Sequence, residues 1–350
     1  MRILLCLLLL TPVLLAEPPA KRMVLIDEDG SGPGGTNQMA MMLLLQSPEV
    51  QVLGITMVSG DGWEPENVQH TLRMLEIIHR TDVPVVPGAV FSLLHTAEEA
   101  QDEALRYGPQ GWYGAWGAHH GPFEVPPLPE GQPTHKPASE DAAHFLIRQV
   151  HEHPHEVTIY AAGPLTNIAL ALSIDPGLPE LAQGIVIMGG SLNPQTNDPE
   201  FALHPRHEFN FWFDPEAAHI VLRAPWPRID LTPVDISLKT RFTKEMLAEI
   251  VSSGTPSGEY LSRYTTDFSY LWDELAAAAW IAPNLITREQ VLYLDVDTTH
   301  GPAYGDTLAW AENAKPARSD LRQVHVHMDL DVNRFNRSFL ERMRAAPSIP

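Results

Sequence analysis

The stretch Met23-Val24-Leu25-Ile26-Asp27-Glu28-Asp29-Gly30-Ser31-Gly32-Pro33-Gly34-Gly35-Thr36-Asn37-Gln38 decides how the chain is read. Met23–Ile26 is a short apolar run that stops at a carboxylate, as a strand buried on both faces does. Gly30 to Gly35 is a glycine-rich loop, and Gln38–Leu45 reads as a buried helix halted by Ser47-Pro48. Strand, loop and helix make the first unit.

The chain repeats that unit. Val50–Val58 is a strand, Asn67–His79 an amphipathic helix and Val83–Val86 a third strand. After a Gly-, Pro-, His- and Trp-rich stretch at 91–136 come helix Glu140–Val150, strand Val157–Ala161, helix Asn167–Leu172 and strand Gly184–Met188. A polar loop from Ser191 to His207 precedes helix Pro215–Arg223 and strand Arg228–Leu231. Residues 241–283 read as mostly helix, then come β-like runs at Val291–Val296 and Val324–Met328 and a helix at Val332–Met343. This alternation predicts an α/β fold: an open, mostly parallel sheet with helices on both faces, in a single domain. Ligands of such sheets bind at the carboxyl ends of the strands, so the motifs that follow apolar runs matter most. The stretch at 91–136 is expected to be a long functional or mobile loop.

Composition narrows the function. The 350 residues carry 23 Lys and Arg against 44 Asp and Glu, a net charge of −21, which disfavours nucleic-acid binding and a polybasic membrane anchor. Arg2, the apolar run Ile3–Leu10 and a small residue at Ala16 read as a signal peptide over residues 1–16, with the domain over 17–350. The expectation is an exported chain, periplasmic or secreted, with no membrane contact after cleavage. The one cysteine, Cys6, leaves with that segment, so no disulfide framework is available.

Four motifs carry chemistry. Asp27 and Asp29 alternate at the first strand end, where carboxylates can hold a hard cation and orient a water. Ala161-Ala162-Gly163-Pro164-Leu165-Thr166-Asn167-Ile168-Ala169 is a strand-to-helix turn, with Thr166 or Asn167 as a natural N-cap. Met188-Gly189-Gly190 ends a strand and leads to Glu208-Phe209-Asn210, whose polar residues share a side if the segment is extended. Trp272-Asp273-Glu274 opens an alanine-rich helix; there Asp273 can serve as a cap alone. Tyr260, Tyr264, Phe268 and Trp272 recur every fourth residue, as a helix core face or a wall for a stacked base.

In this order the motifs resemble the inosine–uridine-preferring nucleoside hydrolase family, over about residues 23 to 345. Gly305-Asp306-Thr307 and Lys315-Pro316 are similar too. The resemblance implies hydrolysis of the N-glycosidic bond of a ribonucleoside or related riboside, a bound Ca2+, and a homodimer or homotetramer. By motif, it implies Asp29 as general base and metal ligand, with Asn37, the Ala162 carbonyl and Asp273 as further metal ligands. Asp27 lies behind them, and Asp61, Met188, Glu208 and Asn210 match ribose-contacting positions. Two departures stand out. Where the family has paired aspartates, this chain has Thr36-Asn37 after a longer loop, and Asn37 supplies an amide oxygen but no charge. Where the family has a leaving-group histidine, this chain has Trp272, which can stack on a base but not protonate it. His119, His120, His204 and His207 are the remaining proton donors to weigh, and Asn193 and Asn197 both stand where a ribose-binding Asn is expected. Two other readings use the same residues. One is a phosphatase of the haloacid dehalogenase type, with Asp27 as nucleophile and Asp29 as acid/base. The other is a secreted riboside-binding protein on the hydrolase fold, impaired in catalysis.

Overall fold

The structure is a computed structural model that describes residues 20–30, 32–266, 268–317 and 319–346. The signal peptide read at 1–16, with Cys6, lies outside the described residues. Nine strands form one sheet: β1 (Arg22–Glu28), β2 (Val50–Met57), β3 (Val85–Val86), β4 (Val157–Ala162), β5 (Gly184–Met188), β6 (Ile229–Thr232), β7 (Ile286–Val296), β8 (Thr307–Trp310) and β9 (Gln323–Leu330). Their order is β3-β2-β1-β4-β5-β6-β9-β7-β8. Pairs from β3 to β9 are parallel, and β7 runs antiparallel to both β9 and β8. The expected mostly parallel single-domain sheet is what forms.

β1 shows why its run is apolar throughout. Val24 and Ile26 point into one core, with helices Thr36–Gln46, Trp272–Ile281 and Val332–Met343. Leu25 points into the other, with helices Ala142–Glu152, Thr166–Ile174 and Pro215–Arg223. A central strand covered on both faces has no solvated side to spend on polar residues. Helix Thr36–Gln46 is buried from Asn37 to Gln46, which explains its lack of a polar stripe. At about 1.5–3 kcal/mol per large apolar side chain buried, this β1–helix unit anchors everything that hangs from its loop.

Three local readings change. The stretch at 91–136 contains helix Ala97–Tyr107, capped by a Thr96–Glu99 capping box. Only Ala100 of this helix is buried, so no apolar period announces it. Residues 241–283 hold three separate helices, Lys244–Val251, Pro256–Tyr264 and Trp272–Ile281, so the aromatic stripe is not one helix face. Neither Thr166 nor Asn167 caps its helix; the cap position is Leu165, and both polar side chains bond elsewhere.

Candidate active site

The registers of β1, β2 and β4 align Glu28 with Met57 and Ala162, so the three strands finish level. Asp29 emerges at that edge. Its Oδ1 accepts from the Asn37 amide at 2.7 Å, and its Oδ2 from the Asp61 backbone N–H at 2.9 Å. Neighbouring backbone approaches it closely: a Cβ on Gly60 would sit 2.1 Å from Asp29 Oδ2. Asn67 ties the loops together, donating from Nδ2 to the carbonyls of Asp29, Val58 and Gly62. Spanning three segments, it is a residue that sequence reading missed.

β5 ends at Met188, and the chain turns through Gly190 at φ +72°, a conformation that favours glycine. Glu208 does not lie in an extended segment. It caps the one-turn helix Phe209–Phe213, accepting from Asn210 N at 2.9 Å, Phe211 N at 3.1 Å and Gly190 N at 2.8 Å. Those three donors fix the carboxylate, and Asn210 Nδ2 donates to the Met188 carbonyl at 3.2 Å. The tail motif buttresses this corner, with Thr307 Oγ1 accepting from Ser191 N at 3.0 Å.

Asp273 lies in the first turn of helix Trp272–Ile281, whose cap position is Leu271, so it is not spent on capping. Thr36 Oγ1 reaches its Oδ2 at 3.4 Å, a long hydrogen bond, and the Tyr160 hydroxyl donates to its carbonyl at 2.8 Å. Trp272, Tyr264 and Phe201 build the outer wall, with Phe201 and Trp272 ring centroids 5.7 Å apart. From the opposite side Trp112 donates its indole N–H to Asp61 Oδ1 at 2.6 Å. The open cleft they border is about 710 Å³, within the range of small-molecule sites. Asp29, Asn37, Asp61, Met188, Glu208, Asn210, Trp272 and Asp273 all line it.

Its lining is mostly acidic: Asp29, Asp61, Glu200, Glu208 and Asp273 stand against one cation, Arg263, which pairs with Glu259. Burial, then the charges of Asp61 and Asp273, push Asp29 well above the usual carboxylate range. Asp273 is raised the same way by burial, then by Asp61 and Glu208. Burial alone drives Asp61 up, against hydrogen bonds from Trp112 and Asn37. Burial also pushes Glu208 to about 7, despite its three backbone donors. Carboxylates that repel one another in a shared pocket are stable as charges only beside a cation.

Over residues 24–337 the chain matches the inosine-uridine preferring nucleoside hydrolase family. It belongs to that family. Uridine nucleosidase 1 of Arabidopsis thaliana is 30% identical over 301 residues, 81% of each chain. The pyrimidine-specific ribonucleoside hydrolase RihA of Escherichia coli is 33% identical over 233 residues, 67% of each chain. Among solved structures, a plant nucleoside hydrolase superposes with a TM-score of 0.73 at 27% identity, covering 94% of this chain and all of that one.

As a nucleoside hydrolase the chain is an N-glycosidase of small-molecule ribosides, and the family depends on metal. Some expected residues stand outside the cavity wall. Asp27 is fully buried, its Oδ2 accepting from Thr56 Oγ1 at 2.5 Å and Asn167 Nδ2 at 2.8 Å. It ties β1 to β2 and to helix Thr166–Ile174, and from there it cannot attack a phosphoryl group, which removes the phosphatase reading. Ala162, at the end of β4, does not line the cavity. Neither do His119, His120, His204 and His207. Burial and the neighbouring His204 and His95 push His207 down to about 3, so it is neutral at physiological pH. Asn193 and Asn197 are likewise absent from the wall.

Sequence reading also missed Glu28 and Glu274. Both are fully buried, and none of their four carboxylate oxygens has a hydrogen-bond partner. Elsewhere, Asp230, Glu289 and His327 bring three ligand atoms within 4.8 Å of one another, the one such group among the described residues. They border a separate pocket at the amino ends of β1, β4 and β5. Arg228 already bonds both acids there, at 2.7 and 2.9 Å, so this nucleoside hydrolase does not place its catalytic acids in that group.

Proposed function

We propose that the cavity hydrolyses the N-glycosidic bond of a ribonucleoside, with Asp29 as the base that takes a proton from the attacking water. The observation that carries this is the convergence of Asp29, Asp61, Glu208, Asn210, Trp272 and Asp273, from four separate segments, on one cavity. Family membership supports the bond type; the roles of these residues rest on their placement.

The donor set suits calcium. It offers hard oxygens only, from buried acids that drive one another's pKa upward. Asp29, Asp273 and Asn37, the last through its amide oxygen, are the lining residues that would hold the ion. Bound there, calcium supplies Lewis acidity to a water and an anchor for ribose hydroxyls. The rest is the protein's own work. Asp29 is held by Asn37 and the Asp61 N–H, so its orientation is set before substrate enters. Glu208 and Asn210 orient the ribose. The bond breaks through an oxocarbenium-like transition state, and a cavity rich in carboxylates favours the positive charge that develops on the sugar. Trp272 and Tyr264 offer ring faces to the base.

The same reading includes export through residues 1–16 and assembly into a homodimer or homotetramer, which mature N-terminal sequencing and sedimentation test. The central experiment measures calcium content and ribose release on one purified sample, with several ribosides. Bound calcium with ribose release is the expected result. Tight riboside binding without turnover would replace the hydrolase reading with that of a binding protein.

A further inference from the structure

Glu28 and Glu274 present a physical problem that the hydrolytic mechanism leaves unused. Both are 0% exposed, and all four carboxylate oxygens lack hydrogen-bond partners. Alternation along β1 turns Glu28 away from Asp27, toward the face occupied by helices Thr36–Gln46 and Trp272–Ile281. Glu274 follows Asp273 in the second of these helices, and the two helices pack on each other. A carboxylate buried without a partner costs several kcal/mol unless something compensates its charge. Among the described residues, no lysine, arginine or histidine forms an ion pair with either glutamate.

Their neighbours say what the compensation is. Burial first, then the charges of Asp273 and Asp29, then Glu274, raise Glu28; the Asn37 amide is near enough to oppose this, although no well-formed hydrogen bond joins them. Glu274 is raised by burial and by Asp273. Glu28 precedes Asp29 in the chain and Glu274 follows Asp273, so each buried glutamate stands next to one of the two aspartates that face the cavity. Thr36 and Asn37, the two positions without charge in the opening loop, border this group as well: Thr36 bonds Asp273, and Asn37 bonds Asp29.

We propose that Glu28 and Glu274 supply, from beneath the cavity floor, the two negative charges that the divalent-cation site lacks at Thr36 and Asn37. They act through their field and do not complete an inner cage. No three acidic or histidine ligand atoms around Asp29 meet within 4.8 Å among the described residues. The acid count of the site is thereby kept while its location shifts from the loop to the strand and helix below it. The inference rests on the cavity being the cation site of the proposed function.

The test is calcium titration by calorimetry on the full chain stripped with chelator, for the wild type, Glu28→Gln, Glu274→Gln and Glu28→Gln/Asn37→Asp. Each single glutamine variant keeps the side-chain shape. Each is expected to weaken calcium binding at least tenfold, about 1.4 kcal/mol. Asn37→Asp in the Glu28→Gln background is expected to recover most of that loss. Thermal unfolding of the same samples gives a second readout: the metal-free variants melt higher than the metal-free wild type, and calcium raises their melting point less. Calcium affinity unchanged in both single variants overturns the inference, as does a wild type that takes up no divalent cation. A wild type that binds calcium but releases no ribose overturns the hydrolase reading and leaves this one standing.

Discussion

At the amino ends of β1, β4 and β5, Arg228 lies between Asp230 and Glu289, and His325 bonds the same glutamate. At the carboxyl ends of β1, β2 and β5, Asp29, Asp61, Glu208 and Asp273 share a cavity, and among the described residues no cationic side chain pairs with any of them. Both ends are acidic, and only one is compensated by the protein itself. An acid that folding needs is paired by a group of the same chain; an acid left unpaired in a pocket is held for something that arrives later. The overall charge of −21 hides this distinction, which only the pairing reveals.

Substitutions at the two ends test the contrast. The largest effect is expected at the uncompensated end: Asp29→Asn lowers kcat by about 10³-fold, the scale of a lost general base, with an unchanged circular dichroism spectrum. Unaltered turnover in that variant would remove Asp29 from the chemistry. Next comes pH. Burial raises Asp27, Glu64 and Glu208 to about 7, above the values near 4 they have in an unfolded chain. The folded state then holds more protons, so stability from these groups is present at low pH and is lost as pH rises through about 7. The metal-free protein is expected to melt several degrees lower at pH 8 than at pH 5. A flat profile would mean that these three buried acids are compensated in some other way. Trp272→Ala is expected to raise KM about tenfold, the scale of one lost stacking contact, with kcat changed less. A KM that stays put would move the base elsewhere in the cavity. The smallest effect belongs to the compensated end: Arg228→Met costs about 1 kcal/mol in urea unfolding and leaves kcat alone. A fall in turnover there would break the division between the two ends.

Much of the scaffold was legible from apolar runs. β1, β2, β4 and β5 are covered on both faces, and their sequences have no polar alternation to confuse the reading. Helix Ala97–Tyr107 escaped because it buries one alanine; its signal was the cap, Thr96 with Glu99 three residues on. At the site, Asp29, Asp61, Glu208 and Asp273 were found through the order of motifs, since nothing in a single segment says that distant acids meet. Glu28 and Glu274 were passed over because each stands next to a motif acid, and burial of a carboxylate cannot be read from its neighbours in sequence. The Glu208–Asn210 segment was misread because an acid two residues from an amide fits a strand face as well as a capped turn.

The indole of Trp112 on Asp61 has a consequence for ligand entry. An ionised carboxylate oxygen accepts more than one hydrogen bond, so an incoming hydroxyl can reach Asp61 without displacing that N–H. The segment that carries Trp112 is tied to the same loop a second time, by the Ala115 N–H donating to the Gly60 carbonyl at 2.8 Å. Two bonds from one rim segment to consecutive residues hold the rim on the floor, so a sugar that fills the pocket meets a wall already in place.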